Sequence, residues 1–211
     1  RRYPYSTTMA KNPLTLRHIT DGQALPGTAP RNPSVGGLNA EVHNMGEVWA
    51  AMLWECYASL LNAHPFQEAH DRMKQYLVAA YKLTPVNPTL IEARDALLAA
   101  ARANDPADYQ RFAAAFAKRG AGALAQVPDR YSATNAGVVE DFGTVGVLEI
   151  ADMQLSLTAS GAQMCDADTV LDSGETGVLR ITLRNRGMSA TDTGTVTLSA
   201  NLPGLTFPDG A

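Results

Sequence analysis

Cysteine is nearly absent from this chain, with only Cys56 and Cys165 among 211 residues. The two lie far apart and belong to no metal-ligand spacing, which removes cysteine-based metal sites from consideration. Cys56 falls on the apolar face of a predicted helix and reads as an inert buried thiol. No run of lysine or arginine stands out and the formal net charge is -4, so a nucleic-acid or anionic-membrane partner is not expected. No stretch approaches the ~18 consecutive apolar residues that a membrane span needs. A basic-then-apolar leader is missing too. Because the sequence opens on Arg1 and not on Met, it is expected to be a piece of a longer protein, and the missing leader says nothing about secretion. What is present is ordinary for a globular protein: 45% hydrophobic and 18% charged residues, enough for one large domain or two smaller ones.

Periodicity changes character near residue 140. Before about residue 120 it is helical. Met45, Val48, Trp49, Met52, Leu53, Cys56, Tyr57, Leu60 and Leu61 recur at steps of three and four, one apolar stripe on a first helix. Asn44 with Glu47 three residues later resembles a capping box and places the helix start there; Pro65 stops it. A second helix is expected over about 67–83, with Met73, Tyr76, Leu77, Ala80 and Tyr81 inward and Pro85 as its end. Asn87-Pro88 and Asp105-Pro106 each pair a cap with a first-turn proline, opening a third and a fourth helix. Lys118 and Arg119 suit the negative end of the fourth helix, and Gly120 suits a left-handed stop. Four helices on short loops predict a compact bundle.

The first 38 residues, rich in Pro, Gly, Thr and Asn, read as an ordered irregular surface segment, with disorder as the rival over 20–37. Residues 121–141 read as a linker or a wrapping strap. Beyond Val145 the period is two: Met153, Leu155 and Leu157, then Leu179, Ile181 and Leu183, then Val196 and Leu198, separated by turn-rich stretches. That predicts the opening of an immunoglobulin-like β-sandwich, truncated, since such a fold takes roughly seven strands over ~100 residues.

Four stretches, "YPYSTTMAKNPLT", "EVHNMGEVWAAMLWE", "LTPVNPTLIEARDALLAA" and "FAKRG", occur in this order over residues 1 to 124. Together they resemble the C-terminal, mostly helical part of the fungalysin-type zinc metallopeptidases, which are similar in layout to thermolysin. The β-rich tail resembles the accessory domains that follow such peptidases in bacteria. The resemblance implies a zinc site built from an HExxH helix, in which two histidines one turn apart share a face and a glutamate serves as general base. The histidines here are His18, His43, His64 and His70; no two are four apart and none precedes a glutamate. The zinc ligands are therefore expected upstream of this chain, which alone should not cleave peptides.

The resemblance gives His43, in its Val42-His43 pair, the role of donating a hydrogen bond to the oxyanion of the transition state. Removing such a donor costs about 10²–10³ in rate. From the local pattern alone, His43 reads as a polar residue at a helix start with no further task. Trp49 and Leu53 are expected to hold the helix rigid. The thermolysin pattern has an aspartate five residues before the histidine; Leu38 stands there, so Asn39 or Glu41 must orient the ring. A neutral ring suffices for donation if a neighbour fixes its tautomer. Arg1 is implied to bond a substrate carbonyl, with Arg2 as its competitor. Tyr3 and Tyr5 read as packing residues, Arg94 and Asp95 as a polar pair between helices, and His64 and His70 as solvated. Val86 stands where many fungal relatives have a cysteine, so their helix-tethering disulfide is expected to be missing. Asp166, Asp168, Asp172 and Glu175 form either a candidate calcium loop or a solvated acidic turn.

The fold class expected is α+β in two domains. The helical C-terminal subdomain of a thermolysin-like peptidase occupies 1–124, a linker 125–144, and a partial antiparallel β-sandwich 145–211. The function expected is a secreted zinc metalloendopeptidase with polypeptide substrates, completed by the upstream half of the same protein. The rival is a non-catalytic binding or spacer module.

Overall fold

The computed structural model describes residues 1–144, 148–157, 170–172, 174–185, 195–201 and 203–207. The chain divides into two compact units, one ending and the other beginning between residues 145 and 146.

The first unit holds four helices: α1 (Val42–Ala63), α2 (Phe66–Leu83), α3 (Leu90–Asn104) and α4 (Pro106–Lys118). α1 packs on α2 and α4, and α3 packs on the same two. Val48, Met52, Cys56 and Leu60 of α1 meet Met73, Tyr76, Leu97, Phe112 and Phe116 in one buried core. Each large side chain buried there contributes roughly 1.5–3 kcal/mol. The inward face of α2 is Ala69, Met73, Tyr76 and Ala80. Tyr81, expected inward, is largely exposed.

Two helix starts differ from expectation. α1 begins three residues early because Glu41, and not Asn44, is its N-cap, accepting from the backbone of His43 and Asn44. Glu47 is not part of a capping box. It turns into the core, where it meets Arg2 and the Tyr3 amide. In α3 the cap is Thr89, in a reciprocal box with Glu92, whereas Asn87 adopts a left-handed turn (φ 52°) upstream of it. The fourth start is as expected: Asp105 caps the amides of Ala107 and Asp108, with Pro106 in the first turn. Gly120, at φ 78°, follows the helix as its left-handed stop.

Residues 1–41 carry one 3₁₀ turn, Leu16–Ile19. Tyr3, Leu14, Leu16 and Ile19 are buried in the same core as the helices. Arg119 is the tether. Instead of a surface cation at the helix end, it is fully buried. It donates to Glu55 Oε1 (2.6 and 2.9 Å) and to the carbonyls of Ser6, Asn12 and Leu14. Residues 121–144 double back on themselves through the bridges Ala121–Asp141 and Gln126–Val139, and meet this segment where Glu140 accepts from the Arg17 amide, the Thr134 carbonyl from the Asp21 amide and the Asn135 carbonyl from the Thr20 hydroxyl. Arg94 of α3 holds the strap from beneath, donating to the carbonyls of Ala121 and Gly122, while its partner Asp95 lies exposed.

In the second unit, β1 (Leu148–Leu157) pairs antiparallel with β2 (Gly177–Asn185) across a bulge near Ile150 and Asp152. Ile150–Leu183, Met153–Ile181 and Leu155–Leu179 are opposed pairs on one face of this ribbon. Residues 195–201, where Val196 and Leu198 predicted another strand, carry none. Helices plus one two-stranded sheet make the class α+β. No helix among the described residues is long and apolar enough to cross a membrane.

Candidate catalytic face

The first turn of α1 presents His43 to solvent, its side chain 89% exposed. Glu41 grips this turn twice. Its Oε2 accepts from the His43 amide (3.0 Å) and the Asn44 amide (3.2 Å), and its Oε1 meets the ring Nδ1 at 2.6 Å. The bond with His43, ahead of the amide bonds, holds the Glu41 carboxyl below its ordinary value. Of the two residues expected to orient the ring, Glu41 is the one in contact. Asn39 is buried and engaged elsewhere, accepting from Arg2 and donating to the carbonyls of Thr20 and Gln23.

Arg2 locks the frame around this turn. Its guanidinium donates to Glu47 Oε2 (2.9 Å), Asn39 Oδ1 (2.7 Å) and the Asn44 carbonyl (2.9 Å), so one buried fork ties residues on both sides of His43. Further along α1, Trp49 stacks on Phe116 at 5.8 Å, and Leu53 packs on the core beside it. Arg1 is exposed, its guanidinium 4.8 Å over the Tyr5 ring, and Tyr5 stacks in turn on Trp54. Of the two arginines, Arg2 is structural and Arg1 faces solvent. Tyr3 is a buried packing residue whose hydroxyl donates to the Pro26 carbonyl, while Tyr5 is exposed.

The other histidines have different surroundings. His18 is buried; its Nδ1 accepts from the Thr15 amide (2.9 Å), and burial pushes its pKa down. His64, expected to be solvated, is mostly buried and its Nε2 lies 3.0 Å from Asp108 Oδ1. His70 is half-exposed and stacks on Phe66. Asp108 is a hub that periodicity did not reveal: fully buried, it also meets Arg72, Tyr76 and Arg111, each at 2.8 Å. An acid in the first turn of a helix is so common that nothing in the sequence marks this one out. Burial would raise the Asp108 carboxyl, but bonds from His64, Tyr76 and Arg72 overcome it and hold the value down.

These residues do not fit a zinc site. No His-Glu pair or pair of histidines one turn apart exists in the sequence, and the described residues bring no three His, Cys, Asp or Glu side chains together as metal ligands. Of the candidate calcium ligands, Asp166 and Asp168 lie outside the described residues. Asp172 and Glu175 close a turn, the Asp172 amide donating to Glu175 Oε2 and the Glu175 amide to the Asp172 carbonyl. Cys56 is a free, buried thiol whose pKa burial raises well above normal.

Residues 1–125, more than half of the chain, match the family model described as fungalysin metallopeptidase (M36). Among curated proteins, the chain is 37% identical over 145 residues to an extracellular metalloproteinase of Neosartorya fischeri, covering 62% of this chain and 20% of that protein. An extracellular metalloproteinase of Aspergillus fumigatus is 35% identical over 145 residues, with the same coverage. Extracellular metalloproteinase 10 of Coccidioides posadasii is 34% identical over 149 residues, covering 64% of this chain and 20% of that protein. The chain thus spans about a fifth of the length of these relatives. On the match over residues 1–125, the chain belongs to the fungalysin metallopeptidase family.

Proposed function

We propose that the full-length protein is a secreted zinc-dependent metalloendopeptidase acting on polypeptides, and that this chain supplies one wall of its substrate cleft. Family membership and relatives named extracellular metalloproteinases support this reading. The observation that carries the role of His43 is its placement: an exposed ring on the first turn of a helix whose base is pinned by Arg2. A donor held so rigidly can meet charge as it develops on a scissile carbonyl oxygen, which is where a hydrogen bond lowers the barrier. Arg1, exposed on the same unit, is proposed to bond a substrate carbonyl. The zinc is assigned to residues outside this chain, and the chain alone is inactive.

The test is peptide cleavage by the full-length protein with and without a zinc chelator, alongside His43→Ala. Chelator-sensitive cleavage that falls about a hundredfold or more in the variant supports both parts. Cleavage indifferent to the variant returns His43 to a plain helix-start residue. A folded protein that cleaves nothing supports the non-catalytic binding or spacer module instead.

A further inference from the structure

We infer that Tyr5, backed by Trp54, is the positioning residue of Arg1: its ring holds the guanidinium in place before a substrate carbonyl arrives. This inference rests on the reading of Arg1 as a carbonyl-binding fork and adds to it the side chains that order it.

The two arginines at the start of the chain have opposite kinds of partner. Arg2 commits its donors to Glu47, Asn39 and the Asn44 carbonyl. Arg1 pairs with no carboxylate among the described residues; its guanidinium lies 4.8 Å from the centroid of the Tyr5 ring. An aromatic face attracts a cation through its quadrupole and offers no oxygen acceptor. The contact therefore restrains the guanidinium while its N–H donors stay available to another acceptor. A carboxylate partner would do the reverse. It would take the fork in charge-assisted bonds that a neutral substrate carbonyl is too weak to displace. A free surface arginine would be a poor receptor too, because ordering its long side chain on binding weakens affinity.

The ring is a firm support although Tyr5 is 41% exposed. Pro4 fixes the backbone angle just before it. The Pro4 carbonyl accepts from the buried Asn12 side chain (2.9 Å) and the Ser6 carbonyl from Arg119 (2.6 Å), so the main chain is pinned on both sides of Tyr5. The Tyr5 ring stacks on Trp54 with centroids 6.4 Å apart, and Trp54 meets Tyr57 edge-on at 6.1 Å. Trp54 and Tyr57, three residues apart on α1, share a face of that helix. A ladder of side chains thus runs from α1 through Trp54 and Tyr5 to Arg1. Trp54 is 40% exposed as well, so core packing does not account for these rings meeting at the surface.

Positioning and packing are separable by substitution. The probe is oxidised insulin B chain, an unstructured polypeptide, cleaved by the full-length protein. Tyr5→Leu is expected to raise KM about two- to fivefold with kcat unchanged, the range an exposed cation–π contact supplies. Tyr5→Phe keeps the ring and should rescue the loss. Arg1→Ala should raise KM further. Adding Tyr5→Leu to Arg1→Ala should change nothing more, because the ring acts only through the arginine. A thermal melt shows whether Tyr5→Leu is folded; if it is not, Trp54→Leu, which leaves the Tyr5 ring unbacked, carries the same comparison with a smaller rise.

A Tyr5→Leu protein with the parent's KM, or a Tyr5→Phe protein as impaired as Tyr5→Leu, overturns the inference while Arg1→Ala still impairs cleavage. So does a Tyr5→Leu effect that persists undiminished beside Arg1→Ala, which would make Tyr5 a substrate contact or a packing residue in its own right. If Arg1→Ala cleaves as the parent does, the carbonyl-binding reading of Arg1 fails and this inference fails with it.

Discussion

Replacing Asp108 by alanine tests the hub that joins the C-terminal end of α1 to α2 and α4. The carboxylate is fully buried and accepts from four side chains, His64, Arg72, Tyr76 and Arg111. Removing one member of a buried charge pair costs about 3–5 kcal/mol, most of it the penalty on the groups left behind. Here those groups have partial escapes. Arg72 retains Asp105 and Glu68, and Arg111 is about a third exposed to water. The Tyr76 hydroxyl has no such escape in its buried position and accounts for roughly 1–3 kcal/mol of the loss. The expected cost is therefore about 3 kcal/mol. For a domain of this size that corresponds to a fall in Tm of about 6–12 °C. Calorimetry or circular dichroism at neutral pH measures it, with Asp95→Ala, at an exposed carboxylate, as the control. The pH dependence has a definite sign. Asp108 has a folded-state pKa below its ordinary 3.8, so its stabilisation is fully present above that value and is lost as pH falls through the lower folded one. Asp105, held down by the Ala107 amide and then by Arg72, acts in the same direction. The parent should unfold more steeply than Asp108→Ala below about pH 4. A variant that melts within 1 °C of the parent, or keeps the parent's full acid sensitivity, refutes the hub.

Gly120→Ala should destabilise the first unit by at least about 1–2 kcal/mol, because a side chain at φ 78° is strained and its Cβ would lie 2.6 Å from Glu140 Oε1; chemical denaturation measures this. Cys56 should resist a thiol reagent at neutral pH until the protein unfolds, because burial both hides the sulfur and disfavours the thiolate; labelling as a function of denaturant follows it. If the acidic cluster binds calcium, millimolar calcium should raise the melting temperature of the parent but not of Asp168→Ala. An identical melting curve with and without calcium returns the cluster to a solvated turn.

Where the sequence was informative, the device was local. Asp105-Pro106 and Gly120 bracket α4 through groups within a few residues of the helix; the distant Arg72 takes only Asp105 Oδ2 and leaves Oδ1 to the helix amides. Asn44 and Glu47 have the spacing of a cap, yet Arg2, 45 residues away, takes Glu47 inward and leaves Glu41 to cap. Local spacing cannot register such a competitor. Arg119 misled for the same reason: a cation at a helix end is ordinary, and only the arrival of residues 6–14 makes it interior. At Asn87-Pro88 two capping signals stood side by side, and the reciprocal box of Thr89 with Glu92 prevailed because it satisfies two donors at once. On the candidate catalytic face, motif resemblance led to His43. Whether Asn39 or Glu41 meets it was settled by Arg2, whose guanidinium takes Asn39 and leaves Glu41 to the ring.

The reach of the Arg119 tether has a consequence during synthesis. Its bonds to the carbonyls of Ser6, Asn12 and Leu14 join residues 105 to 113 positions apart in the chain, and the early partner is always translated first. At about 5–20 residues per second, the ribosome needs roughly 5–20 s to deliver the ~100 residues between Leu14 and the arginine that holds it. Throughout that interval Leu14, Leu16 and Ile19 have no α4 to lie against, and neither does the segment whose Arg2 frames the start of α1. The nascent chain thus carries an apolar segment that only its own later residues can shelter, a natural target for chaperones that bind extended apolar peptides.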